Sequence, residues 1–151
     1  MDKKRFGIAA GVLALLTLAW AIDAALGLGT FAVHDLRHHH LPWRVWAASE
    51  WQVGRIPLWA PGVANGFPML AEGQGGVLYP PTMLLFMFLP PALALNWTLL
   101  LHVWWAALGT WVFLRASGRS PAAVVFGAVA FAFSGFMASH ALYLGMQNGV
   151  A

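Results

Sequence analysis

The residue best suited to chemistry in this 151-residue sequence is Asp35. It follows a long apolar run ending at Leu28, so its carboxylate is expected where a membrane helix reaches the outer membrane surface. A carboxylate there can take a proton from a sugar hydroxyl, or help to hold a metal, beside a lipid-linked substrate. The competing interpretation is an N-terminal cap for the next helix, a position that Asp favours. Asp35 is therefore a candidate catalytic base, with capping as the alternative.

Four histidines surround Asp35, at positions 34, 38, 39 and 40. Successive residues of a helix point about 100° apart, so His38, His39 and His40 cannot all face one ion. His34 and His38 could share a face, but the cysteines and dense carboxylates of a strong zinc site are missing. We therefore predict no metal ligands and no cofactor, while a divalent metal remains an option. Contacts with lipid phosphates are the simpler role for these histidines.

Two more histidines occur in apolar segments. His102 lies near the middle of a predicted membrane span, where an ionisable residue usually faces the helix bundle or a functional pathway. A neutral histidine that is hydrogen-bonded between helices is the favoured interpretation. His140 lies near the outer end of a later span with Gln147 and Asn148, and these residues could face the same external pocket as Asp35.

The composition excludes an ordinary soluble domain. Hydrophobic residues make up 60% of the chain and charged residues 9%, against roughly 45–50% and about 25% in an average globular protein. The sequence has no cysteine, which excludes disulfides and thiolate chemistry. Its basic residues lie mainly at the ends of apolar runs and do not form one soluble face, so no nucleic-acid partner is expected. Membrane lipids are the expected surroundings.

The apolar runs predict an all-α polytopic membrane protein with a single membrane domain over residues 1–151. Three transmembrane helices are predicted, at residues 6–28, 92–114 and 122–144, because about 20 helical residues cross a bilayer core. For the first run, a signal peptide with a cleavage-like site at Ala19-Trp20-Ala21 is the alternative.

Basic residues indicate the orientation of these helices. Lys3, Lys4 and Arg5 precede the first run, and Arg115 and Arg119 separate the second from the third. Lys and Arg are enriched in cytoplasmic segments. The two clusters agree, so the N-terminus and the turn at 115–119 are expected in the cytoplasm, and the chain in the inner (plasma) membrane.

Residues 29–91 are predicted to form a large external loop, because their charges would cross hydrocarbon only at high cost. Within it, one helical stripe indicates an amphipathic helix along the membrane interface. The stripe consists of Leu36, His39 or His40, Trp43, Ala47 and Trp51. Pro42 suits the first turn of this helix.

The rest of the external loop is divided by proline and glycine. Residues 55–81 contain many of both, which favours ordered turns. Residues 82–89 are apolar but lie between Pro80-Pro81 and Pro90-Pro91, and this segment is too short to span the bilayer. It is predicted to be re-entrant or interfacial.

Several short pieces of the chain occur in a familiar order. They are Asp35-Leu36, Leu41-Pro42, Gly54-Arg55-Ile56-Pro57-Leu58-Trp59-Ala60-Pro61, Asn65-Gly66-Phe67-Pro68, Gln74, Tyr79-Pro80, Ser134-Gly135-Phe136 and His140. In order and spacing the sequence resembles the YfhO-type bacterial membrane proteins, part of the GT-C superfamily of polytopic glycosyltransferases. The resemblance covers nearly the entire chain.

This resemblance implies a transferase that uses a polyprenyl-phosphate-linked sugar on the outer face of the membrane. In GT-C enzymes an acid in the first external loop commonly acts as general base, and Asp35 matches it. Arg55, Glu72 and Gln74 fall in the matching loop and are candidate contacts for the donor phosphate or sugar. His102 and His140 complete the candidate substrate-binding residues.

Proteins of this family have many more than three spans. The chain therefore resembles the N-terminal portion of such a protein, and this portion alone is expected to be inactive. The alternative, from another functional class, is a non-catalytic membrane subunit that scaffolds or transports a lipid-linked glycan.

Overall fold

A computed structural model describes residues 3–31 and 35–140, which fold into helices joined by turns. The helices are α1 (Lys3–Trp20), α2 (Ile22–Ala25), a π-helical turn (Leu36–His40) continuous with α3 (Leu41–Gln52), α4 (Met69–Glu72), α5 (Pro80–Phe88), α6 (Pro91–Ala116), α7 (Pro121–Ala132) and α8 (Gly135–His140). Within these described ranges, β-pairing is limited to one isolated bridge between Ala60 and Phe67. The all-helical class predicted from sequence is confirmed for this part of the chain.

Two helical stretches are long and apolar enough to cross a membrane. One is α6, with 26 residues, and the other runs over 19 residues from Pro121 to Ser139, through α7 and most of α8. At about 1.5 Å per residue, α6 is about 39 Å long, more than a hydrocarbon core of about 30 Å. The predicted helix at 92–114 is therefore confirmed with slightly wider bounds. The end of the predicted segment 122–144 lies outside the described residues.

The first apolar run is not the continuous helix predicted at 6–28. α1 ends at Trp20, and Ala21 leaves the helical conformation with φ −139° and ψ 51°. After the single turn of α2, Gly27 adopts the left-handed backbone conformation, with a φ of 74°. The uninterrupted apolar helix from Phe6 to Trp20 is about 23 Å long, shorter than a bilayer core. Beyond the break, the Asn96 side chain of α6 donates to the carbonyls of Ala24 and Gly29.

The amphipathic segment after Asp35 is helical as predicted, and its buried face contacts protein. Leu36, His40 and Ala47 are buried, whereas His39 is exposed, so His40 is the inward-facing histidine of the stripe. Leu36 packs with Phe86 of α5 and with apolar residues of α6. This packing fixes the segment against α6 independently of any lipid.

Pro42 explains why this segment begins with a π-helical turn. Proline has no N–H, and its ring clashes with the carbonyl four residues earlier in a regular helix. The wider turn avoids that clash, and the Leu41 N–H donates to the Leu36 carbonyl five residues back. Pro42 then lies in the first turn of α3, as predicted.

The segment between α3 and α5 consists mainly of ordered turns, as predicted, but it also contains the single helical turn α4 and the bridge between Ala60 and Phe67. Ala60 and Phe67 exchange backbone hydrogen bonds of 2.8 and 3.0 Å. Gly66 between them has a φ of 123°, and a Cβ at this position would lie 2.6 Å from the Trp59 ring. Only glycine fits this turn without strain. The following α5 has nine residues, or about 14 Å, so it is too short to span the membrane.

Small residues bring α6 and α7 close together. Ala107 of α6 and Ala128 and Ala132 of α7 are buried in a core that also includes Leu13 of α1. A Cβ at Gly127 would clash with the Leu114 side chain. Small residues let the backbones of two helices approach closely. Such close packing stabilises helix association in a membrane, where the lipid is as apolar as the side chains.

Candidate functional site

The chain between α2 and α3 is held at its start by Asn96, which sequence analysis did not single out. This side chain is fully buried on α6. Its Nδ2 donates to the carbonyls of Ala24 and Gly29 at 2.9 and 2.8 Å, and its Oδ1 accepts from the Phe31 N–H at 3.1 Å. Asn96 therefore bonds to both carbonyls where α2 ends, although that of Ala24 also accepts from the Gly27 N–H at 3.2 Å. It also holds the chain at Phe31, four residues before Asp35.

Asp35 lies at the beginning of the helical segment that contains α3, and its side chain is exposed. Its backbone is already helical, with φ −61° and ψ −30°, and its carboxylate makes no capping hydrogen bond. A capping residue usually has extended backbone and accepts from the next turn. The structure thus does not support capping as the role of this carboxylate, which faces outward.

His40, one turn further on, is buried and neutral at physiological pH. Burial is the main cause that lowers its pKa to about 4, and the nearby Arg44 charge lowers it further. The Asp35 carboxylate acts in the opposite direction, which places it within electrostatic range of His40. Within the described part of the chain, His40 Nδ1 has no hydrogen-bond partner.

Arg44 is the central buried charge of this region and was missed by sequence analysis. It has no exposed surface, and burial lowers its pKa to about 10, so it stays protonated at neutral pH. Its Nη1 donates to the His40 carbonyl at 3.3 Å and its Nη2 to the Gln74 carbonyl at 3.4 Å. Its Nε has no partner among the described residues. Arg44 follows His40 by four residues and so lies on the same face of the helix. Its place beside the predicted amphipathic stripe was the sequence signal that could have indicated its burial.

Two predicted substrate-binding residues lie beside Arg44. The Glu72 carboxylate raises the pKa of Arg44, partly offsetting burial, and it also accepts from the Gly75 N–H at 2.9 Å. Gln74 bonds to Arg44 through its backbone carbonyl, and Gln74 is exposed. The arginine therefore holds the loop at 72–75 against α3, and the Gln74 side chain is not needed for that contact.

Arg55 belongs to a separate contact at the end of α3. Its guanidinium makes a two-pronged ion pair with Glu50, with distances of 2.7 and 2.8 Å. The hydrogen bond from Arg55 is the main cause that lowers the pKa of Glu50. An exposed pair of this kind adds little stability. The geometry does not bring Arg55 into the cluster around Arg44.

His102 joins α6 to the loop and is enclosed by protein. Its Nδ1 lies 2.6 Å from the Thr98 carbonyl, so this nitrogen carries the proton and donates. Its Nε2 then accepts from the Tyr79 hydroxyl at 2.8 Å. Burial raises the pKa of Tyr79, which keeps that hydroxyl protonated and able to donate. His102 is buried and hydrogen-bonded inside the protein, to its own helix and to Tyr79 just before α5. The favoured interpretation of its sequence was a neutral histidine bonded between helices.

Several residues predicted to contribute to the site are not among those that the structure describes. They are His34, Gln147 and Asn148, together with the side chain of His140, the last residue of α8. Among residues 3–31 and 35–140, no group of three or more His, Asp or Glu side chains could hold a metal ion.

The arrangement therefore combines an exposed carboxylate, Asp35, with an enclosed polar layer below it. That layer is built by residues from three parts of the chain, namely His40 and Arg44 of one continuous helical segment, Tyr79 before α5, and His102 of α6. An exposed carboxylate can accept a proton from a ligand at the surface, whereas the enclosed groups can hold the surrounding loop in place. Comparison with protein-family models, with curated proteins and with solved structures found no match to this chain.

Proposed function

We propose that this chain is the N-terminal membrane portion of a GT-C-like glycosyltransferase, which transfers a sugar from a polyprenyl-phosphate donor on the outer face of the membrane. The observation that supports it best is the environment of Asp35. Its carboxylate is exposed, makes no capping hydrogen bond, and follows by four residues Phe31, which Asn96 holds against α6. The likeness of the external segment to YfhO-type proteins supports the same function.

In the proposed reaction an acceptor hydroxyl oxygen attacks the anomeric carbon of the donor sugar. The bond from that carbon to the phosphate oxygen breaks, and polyprenyl phosphate leaves with the bonding electrons. Asp35 takes the proton of the attacking hydroxyl, as a general base must. A lipid-linked donor would be held at the membrane surface, so the base has to lie beside a helix end, and Asp35 does.

The loop at 72–75 is the proposed contact for the sugar. Arg44 fixes its backbone through the Gln74 carbonyl, which leaves the exposed Gln74 side chain available for hydroxyl groups. Arg44 has no exposed surface, so we assign it as a positioning residue and not as a ligand of the substrate. Arg55 and His140 remain proposed contacts in the full-length protein. His102 is buried with both ring nitrogens bonded within the protein, so by the same reasoning it is a positioning residue.

The proposed topology has the N-terminus in the cytoplasm of the cell and the external segment outside the inner membrane. α6 and the stretch Pro121–Ser139 provide two crossings. In this proposal α1 and α2 together provide the third, and α3 lies along the outer interface. The basic residues at the start of α1 and after α6 favour this orientation.

The deciding experiment replaces the Asp35 carboxylate with an amide. Asp35→Asn keeps the shape but removes the basic group, so transfer from a polyprenyl-phosphate sugar by the full-length protein in proteoliposomes should fall by about 10²–10⁴. Asp23→Asn, which changes another exposed carboxylate near the same surface, is the matched control and should retain activity. Near wild-type turnover of the Asp35 variant would refute its role as base. An absence of transfer by the wild-type protein with all donors tested would favour the non-catalytic subunit.

A further inference from the structure

A small cavity lies where α1 begins, α6 ends and α7 begins. Its volume is about 130 Å³, and it is lined by Arg5, Trp111, Arg115, Pro121, Val124 and Val125. The two arginines are exposed, and Trp111 and Val124 are buried. Arginines from two different helices thus meet one cavity whose other walls are apolar.

The packing of α1 against α6 brings these two arginines together. The ring of Phe6, next to Arg5, meets the ring of Trp111 edge to face, with a centroid distance of 6.0 Å. Trp111 precedes Arg115 by four residues, so both lie on the same face of α6. The cavity is therefore a consequence of buried helix contacts and not of exposed side chains alone.

Charge is strongly unbalanced at this end of the molecule. Lys3, Lys4 and Arg119 lie at the same helix ends as the two arginines. The sequence has no Asp or Glu from Pro91 onward, and Asp2 is the only acid before Asp23. The described acids belong to α2 and to the external segment. An anionic ligand is the complement of this surface.

We propose that this cavity binds the anionic headgroup of a membrane glycerophospholipid. Arg5 and Arg115 donate hydrogen bonds to the phosphate, for which the guanidinium fork is well suited. Val125, which is 57% exposed on α7, provides the apolar surface along which an acyl chain lies. α6 and Pro121–Ser139 are long enough to span a bilayer, so their ends lie at headgroup depth, where basic pockets between helices bind anionic lipids. The site is independent of the role assigned to Asp35.

The test is a lipid titration of the full-length protein in neutral detergent, followed by native mass spectrometry. Phosphatidylglycerol is the probe, and phosphatidylcholine is the uncharged comparison. Each basic side chain near an anionic lipid is worth roughly fivefold in affinity. The double variant Arg5→Gln/Arg115→Gln should therefore bind phosphatidylglycerol about 30-fold more weakly. Arg119→Gln removes a charge from the same surface but not from the cavity, and it should bind within about twofold of wild type.

Further arms separate a lipid site from other causes. Arg5→Lys/Arg115→Lys keeps both charges and should retain most of the binding. Loss in this variant equal to that of the glutamine pair would show that packing and not charge is responsible, and would overturn the proposal. Excess inorganic phosphate should not displace the lipid, because the acyl chain contributes to binding. Full displacement by phosphate, equal binding of phosphatidylcholine, or an Arg119→Gln loss as large as that of the double variant would each overturn it as well.

Discussion

Replacing Asn96 with leucine would remove the side chain that joins α6 to the chain that follows α2. Leucine has the same branched shape and the same number of side-chain heavy atoms, so the helix should be retained. What is lost is a set of three hydrogen bonds, to Ala24, Gly29 and Phe31, with lengths between 2.8 and 3.1 Å. The Gly29 carbonyl and the Phe31 N–H lie beyond the last turn of α2, whereas the Ala24 carbonyl also accepts from the Gly27 N–H at 3.2 Å.

The expected cost follows from these three bonds. An intramolecular hydrogen bond contributes about 0.5–1.5 kcal/mol net, and a buried group left without a partner costs more. The Asn96→Leu variant should therefore lose about 2–4 kcal/mol of unfolding free energy. Asn96→Asp keeps the size and can still accept from Phe31, but its carboxylate cannot donate to the two carbonyls. It should be destabilised at neutral pH at least as much as the leucine variant.

The assay is unfolding of the purified protein in mixed micelles with increasing dodecyl sulfate, monitored by circular dichroism. Thr98→Val is the matched control, since Thr98 is also fully buried on α6 but donates only to Ala94 of its own helix. That change should cost less than about 1.5 kcal/mol. The reasoning is refuted if Asn96→Leu loses less than about 0.5 kcal/mol, or if the control loses as much.

Three further predictions test topology, pH dependence and loop geometry. Single cysteines probed with an impermeant thiol reagent in intact cells should react at Ser49 and not at Ser117, and the opposite result would invert the topology. His40 has a folded-state pKa of about 4, below the ordinary 6.5. Its contribution to stability is therefore complete above pH 6.5 and is lost as the pH falls towards 4, by up to about 3 kcal/mol of unfolding free energy. His40→Gln should flatten this dependence in the same unfolding assay, and an unchanged slope would contradict the burial of a neutral His40. Gly66→Ala should lower the unfolding free energy by about 1–3 kcal/mol because of its φ of 123° and the adjacent Trp59 ring. The control Gly62→Ala has open space around it and should change the unfolding free energy by no more than about 0.5 kcal/mol. Equal effects of the two substitutions would contradict the turn geometry.

The sequence by itself determined the features that depend on neighbours along the chain. Hydropathy and length placed α6 within two residues of its ends, and Pro121 marked the start of α7. The amphipathic stripe was correct at Leu36 and Ala47, and the proline pairs bounded α5. These signals are local because a helix repeats every 3.6 residues and a proline acts on its own turn.

Only the tertiary structure showed the break of the first apolar run and the partners of the buried polar residues. Asn96 reaches Ala24 across 72 positions of the sequence, Arg44 reaches Gln74 across 30, and His102 reaches Tyr79 across 23. Residue type predicts that a buried polar group needs a partner but not which backbone group will meet it. That choice depends on how α3, α5 and α6 pack. The packing separates Arg44, which is enclosed and positions the loop, from Arg55, which lies on the surface with Glu50.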